Sequence, residues 1–358
     1  MSRMSITTTA DSAGFGLFAG FSRACYLIKR SMQIYKGYGL KLLLCLIVRN
    51  TGWSYLAFLY RMRLMRLPKQ REGYVLREIL GSKMYLDLSD EGISRDLIMN
   101  GIREDISVEF FETIVKEGDI VVDLGANIGY YALLESKIVG DKGYVYAIEP
   151  VPSNVELLRR NIEVNKYSNM EVHQLAIGDT RGTQAMFLST HRNKPTLREI
   201  AGTHKEAFFT EMIDVDVITL DDFMKDKPYP NVIRMDVEGY EYQIIRGMKN
   251  ILQRKLPLLL FIEFHFHLLK EQESIETLET LKNAGFQRVD VLKRVLPRGQ
   301  NRHKLLTKVM LSAQSIIAKE LQQGPKNCHL NLSIDDILSN PAILKGQWGG
   351  MHIFFRRD

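Results

Sequence analysis

The sequence has few cysteines, no long apolar run and, over one long stretch, no acid at all. Cys25, Cys45 and Cys328 are too few and too far apart for a disulfide framework or a zinc site. A reducing cytosol is therefore the default compartment. No apolar run reaches the about eighteen residues that a membrane span requires. Residues 42–48 and the aromatic group Trp53, Tyr55, Phe58 and Tyr60 come nearest, and Lys41 and Arg49 interrupt them. A secretory signal is missing too: residues 1–20 are Ser/Thr-rich, weakly charged and punctuated by glycine, which reads as a disordered leader. Between residues 12 and 71 there is no Asp or Glu, but there are eleven Lys and Arg. From Glu72 onward the chain is mildly acidic, within a net charge of +6.

What is present sorts into three parts. Residues 1–71 form a basic leader whose segment 21–67 reads as two or three basic amphipathic helices, stopped by Pro68. Lys and Arg among Trp, Tyr and Leu suit an anionic membrane surface, reached through residues 12–71; a helical cap packed on the main domain is the alternative. No nucleic-acid module accompanies the charge, so no nucleic-acid partner is expected. Residues 72–117 predict a β-hairpin turning at Leu80-Gly81-Ser82 and then helical pieces. Residues 118–358 alternate strand and helix, with strands at 120–124, 143–148, 170–175, 231–235, 256–264 and 286–292 and helices from 130, at 154–165, 241–248 and 274–283. Apolar strands separated by helices mean a parallel sheet covered on both faces, a Rossmann-like doubly wound α/β fold.

The stretch Val121-Val122-Asp123-Leu124-Gly125-Ala126-Asn127-Ile128-Gly129 is the organising element: a strand, a tight turn and a helix start. Its spacing, D-x-G-x-x-x-G, lacks the central glycine of the dinucleotide fingerprint. Gly125 and Gly129 are expected to let the backbone approach a ligand, and helix-start N–H groups to face it. Asp123 ends the strand with a carboxylate, which suits a cationic, hydroxylated ligand such as S-adenosylmethionine better than NAD. Glu149, ending the second strand, is placed to accept from ribose hydroxyls.

In such sheets ligands bind outside the carboxyl ends of the strands. The third strand offers Ala176, Ile177, Gly178 and Asp179 there, the fourth Asp236 and Glu238, the fifth Glu263 and His265. A lone acid after a strand is commonly a helix N-cap, the expected role of Asp179 and an alternative for one of Asp236 and Glu238. Glu263, His265 and His267 alternate and would share one strand face, a spacing open to metal ligation. Flanked by Phe264 and Phe266 at a strand end, they read instead as solvated or structurally hydrogen-bonded, and no metal is expected.

These residues carry a resemblance. Asp123 to Tyr131, Ile148-Glu149-Pro150 with Asn154, Ala176-Ile177-Gly178-Asp179, Thr219-Leu220-Asp221-Asp222 and Ile233-Arg234-Met235-Asp236-Val237-Glu238-Gly239-Tyr240-Glu241 resemble the FkbM family of S-adenosylmethionine-dependent methyltransferases. Glu104 and Glu263 also fall where that family places acids. The resemblance implies a class I methyltransferase sheet of seven strands, mostly parallel, with the last strand antiparallel and inserted at the edge; residues 351–355 are the candidate. It implies S-adenosylmethionine as cofactor, held by Asp123, Gly125, Ala126, Asn127, Gly129, Glu149 and Ala176. Methyl transfer to a hydroxyl of a small molecule, sugar or lipid-linked glycan is the expected reaction, with Asp236 or Glu238 orienting the acceptor and His265 or Glu263 as base. The leader and an insertion at 296–346, with an amphipathic helix near 305–321, lie outside the family pattern. An NAD-dependent oxidoreductase and a non-catalytic nucleoside-binding scaffold protein are the rival readings.

Overall fold

The structure, a computed structural model, describes residues 73–189, 197, 209–292, 328–347 and 349–357. The basic leader and the helix expected near 305–321 lie outside the described residues. Segments 70–301 and 325–358 form one compact unit.

The hairpin forms where expected: β1 (Tyr74–Ile79) pairs antiparallel with β2 (Ser82–Asp87). Its two-residue turn, Leu80-Gly81, has positive φ at both positions, which matches the right-handed twist of the strands. Helices Ile93–Asn100 and Asp105–Ile114 follow. Ile79, Leu86 and Phe111 from this lead-in pack in one core with Val121, Tyr131 and Phe261 of the main sheet.

The main sheet begins with β3 (Ile120–Leu124), whose Val121 and Val122 are both fully buried because they face opposite sides of a covered sheet. Parallel to it run β4 (Tyr144–Ile148) and then β5 (Met170–His173). The 176–230 excursion is largely sheet: β6 (Ala176–Gly178), β7 (Gly182–Ser189) and β8 (Phe209–Thr219) make a three-stranded sheet in the order β6-β8-β7. The chain returns on the other side of β3 with β9 (Val232–Met235) and β10 (Leu258–Phe264), both parallel to it. The reversal of winding between β3 and β9 is the topological switch point at which α/β sheets bind ligands.

β11 (Arg288–Leu292), β12 (Cys328–Leu332) and β13 (Met351–Arg357) complete an eight-stranded sheet in the order β12-β11-β13-β10-β9-β3-β4-β5. The last strand is antiparallel, as expected, but it is not at the edge. It lies between β10 and β11, hydrogen-bonded to both, and β12, from within the 296–346 insertion, takes the edge. Ile353, Phe354 and Phe355 are fully buried on alternating faces, which an inner position allows and an exposed edge would penalise. Among the described residues, no helix is long and apolar enough to cross a membrane.

Candidate functional site

A cavity of about 300 Å³ opens over the carboxyl ends of β3, β4, β9 and β10. Of the residues expected to hold a cofactor, Gly125, Ala126, Asn127, Glu149 and Ala176 line it; of those expected to act on an acceptor, Asp236, Glu238, Glu263 and His265 all do. The structure thus brings nine of the eleven together, and removes Asp123 and Gly129 from the lining.

Asp123 is fully buried, and its Oδ1 accepts from Arg234 Nη1 at 2.8 Å. Arg234 also reaches Asp236 Oδ2 at 3.4 Å and lies over the Tyr131 ring, 4.0 Å from its centroid. The carboxylate expected to meet a cationic ligand therefore meets the guanidinium of a neighbouring strand. The pairing follows from register: Asp123 stands opposite Arg234 in the β3–β9 ladder. Sequence spacing could not reveal it, since the partners are far apart in the chain.

The glycines also serve packing inside the protein. A Cβ built on Gly125 would overlap the Asp236 carbonyl oxygen, and one on Gly129 would stand 2.6 Å from Leu158 Cδ1. Both have positive φ. Their absence of a side chain serves loop-on-loop and helix-on-helix packing. The turn's N–H groups are engaged as well: Gly125 and Ala126 donate to the Ile148 carbonyl at 2.9 and 3.0 Å, and Asn127 donates to Glu149 Oε2 at 2.9 Å. A loop so committed is a poor cradle for pyrophosphate.

Glu149 is the pivot of the donor end. It is buried, and its Oε1 accepts from the Val151 N–H at 3.0 Å and from Asn154 Nδ2 at 3.2 Å. Even so, burial outweighs these bonds and pushes its carboxyl up to about 7. Three donors leave capacity for one more on a carboxylate with about four acceptor positions. Leu175, Ile177 and Met186 give this end an apolar wall.

The other end is dense with charge. Glu238 adopts φ 46°, and neither it nor Asp236 caps the helix Glu241–Arg246, whose N-cap is Tyr240. His265 is buried: Nδ1 lies 2.7 Å from Glu241 Oε1, and Nε2 lies 3.5 Å from Glu238 Oε2 and 3.6 Å from Glu263 Oε1. This is the structurally hydrogen-bonded reading of that histidine; His267, just past the strand, is exposed but reaches the cavity rim. His265 is held well above its ordinary value, because the bond to Glu241 and the surrounding acids overcome the opposing effect of burial. Asp236 is pushed up to about 8 by burial and by Glu263. Glu263 is held below its ordinary range, since His352 and His265 outweigh burial.

Further residues at this end were not foreseen in these roles. His352, on β13, places Nε2 3.3 Å from Glu263 Oε2 and 3.7 Å from Glu104 Oε2, while Nδ1 meets Ser107 Oγ at 2.5 Å. Glu104, whose backbone has φ 54°, also accepts from the Tyr131 hydroxyl at 3.2 Å and pairs with Arg103 at 3.4 Å. Arg103 exchanges backbone hydrogen bonds with the Tyr130 hydroxyl. Two sets, Glu104–Glu263–His352 and Asp236–Glu263–His265, have ligand-type atoms all within 4.8 Å of one another.

Residues 123–288 match the model of the methyltransferase FkbM domain. Among curated relatives, "Methyltransferase 1" of Beauveria bassiana is 25% identical, over 37% of this chain and 59% of its own length. The hexuronic acid methyltransferase AglP of Haloferax volcanii is 29% identical, over 38% of this chain and 53% of its own. The chain thus spans little more than half the length of these relatives. A solved structure of Aeropyrum pernix fibrillarin with S-adenosyl-L-methionine is similar at a TM-score of 0.35 and 15% identity, over 66% of this chain and 83% of that one.

Proposed function

We propose, on the premise that residues 123–288 match the FkbM methyltransferase domain, that the chain transfers the methyl group of S-adenosylmethionine to a hydroxyl of a small molecule, sugar or lipid-linked glycan. The observation that carries this reading is one cavity with two chemically different ends: a buried carboxylate with spare acceptor capacity beside an apolar wall, and a cluster of acids and imidazoles. The first end fits a ribosylated base. The second fits a polyhydroxylated acceptor, and the relative that acts on hexuronic acid favours a sugar.

The donor supplies an already activated sulfonium methyl, so the chain's own task is alignment and removal of one proton. Glu149 accepts from one ribose hydroxyl. Leu175 and Ile177 flank the base. Asp236, whose backbone packs against Gly125, stands beside the donor turn and takes the hydroxyl proton as the acceptor oxygen gains the methyl. His265, fixed by Glu241, donates from Nε2 to the acceptor rather than acting as the base. Glu238 orients the acceptor.

Calorimetric titration with S-adenosylmethionine and separately with NAD tests the donor. Selective binding of the first, weakened at least tenfold in Glu149→Ala, is expected. Binding of NAD instead, or of neither at millimolar ligand, overturns the reading.

A further inference from the structure

Glu104, Glu263 and His352 come from three distant parts of the chain: the turn before the helix Asp105–Ile114, the end of β10, and β13. Two of the three lie outside the matched family region. Glu104 Oε2, Glu263 Oε2 and His352 Nε2 turn toward one another, with the imidazole nitrogen 3.7 and 3.3 Å from the two oxygens. Donors about 2.1 Å from a single ion stand about 3.0 Å apart at octahedral angles and about 3.4 Å apart at tetrahedral ones. The two spacings to the imidazole need only slight adjustment, and all three ligand atoms lie within 4.8 Å of one another.

Each donor is also held from behind at its other atom by a residue outside the set. Ser107 Oγ holds His352 Nδ1 at 2.5 Å, Arg103 Nη2 holds Glu104 Oε1 at 3.4 Å, and His265 Nε2 lies 3.6 Å from Glu263 Oε1. Outer partners of this kind are what fix the orientation of metal ligands, and a hydroxyl accepting from Nδ1–H leaves Nε2 free to donate its lone pair. A second observation points to something between these walls: Arg103 lines the same cavity, and its Nη1, sealed from solvent, has no hydrogen-bond acceptor and only a long ion pair with Asp96 Oδ2 at 3.9 Å. An oxygen carried in on a cation would satisfy it.

We propose that Glu104, Glu263 and His352 bind one divalent transition-metal cation, which anchors an oxygen of the acceptor opposite the donor turn. Two carboxylates and one imidazole suit Mn²⁺, Fe²⁺ or Zn²⁺, and leave coordination positions open for hydroxyls. Only the cation's role in holding an acceptor rests on the methyltransferase reading; its binding does not.

The test uses the full chain, stripped with chelator, and Mn²⁺ as probe, with free Mn²⁺ measured by electron paramagnetic resonance in the absence of S-adenosylmethionine. One Mn²⁺ per chain is expected, lost in Glu104→Gln and in His352→Asn. Ser107→Ala, a small change behind the ligand, is expected to weaken binding about 10–100-fold. No saturable binding up to millimolar Mn²⁺ overturns the proposal. So does binding that Glu104→Gln and His352→Asn leave unchanged; if circular dichroism shows those two unfolded, an unaltered affinity in Ser107→Ala overturns it. S-adenosylmethionine titration of the same samples reports separately on the donor site.

Discussion

Two buried carboxylates at neighbouring strand ends have opposite fates. Asp123 is paired through Oδ1 with Arg234 at 2.8 Å and is not part of the cavity lining. Asp123→Asn is therefore expected to cost up to about 3–5 kcal/mol of stability, because it removes the nearer of the two carboxylates that neutralise a buried guanidinium; urea denaturation measures it. Glu149 faces the cavity and is pushed up to about 7 by burial. The folded state then holds a proton that the unfolded state releases above its ordinary value. Stability falls as pH rises from that value through about 7, by about 3 kcal/mol, and Glu149→Gln removes this dependence. Ligand hydroxyls favour the ionised form, so S-adenosylmethionine should bind more tightly at pH 8 than at pH 6, with proton release. Calorimetry in buffers of different ionisation enthalpy checks it.

At the scale of elements, the turn between β3 and the helix Tyr130–Val139 is shaped by its neighbours. Gly125→Ala would drive a Cβ into the Asp236 carbonyl at a positive φ, with an expected cost of at least about 1–3 kcal/mol. A lowered melting temperature together with weakened S-adenosylmethionine binding is the expected pair of effects, because the same push displaces Asp236. The strand–turn–helix pattern and the alternation of elements were legible from apolar periodicity alone. The sheet of β6, β7 and β8 was missed, although Ile213-Asp214-Val215-Asp216-Val217 in β8 alternates as a half-buried strand does. The strand that delivers His352 was located by its apolar pattern, yet that pattern does not say which strands it separates.

For the whole molecule, charge asymmetry is the feature that the described residues leave outside. The acid-free stretch of residues 12–71 carries two alternatives, a helical cap on the main domain or an anchor to anionic membranes, and the anchor would draw about 1 kcal/mol per basic residue near the surface. Deleting residues 1–71 should abolish sedimentation with phosphatidylserine-containing vesicles and leave neutral vesicles unbound throughout. Retention of binding by the truncated chain would sink that expectation. This test is independent of the donor site, which lies wholly in the unit formed by 70–301 and 325–358.

The sequence by itself determined the doubly wound class, the positions of most strand ends and nine of the residues that line the cavity, because periodicity and turn chemistry act over a few residues. Tertiary structure alone decided which of those acids face a ligand. Asp123 and Glu149 end adjacent strands with the same chemistry, and only the β3–β9 register sets Arg234 against the first. It also decided that Glu104 and His352 meet Glu263, a meeting of residues 89 to 248 positions apart that depends on β13 threading between β10 and β11. Pairing across strands is set by the packing of whole faces, and no local pattern encodes it.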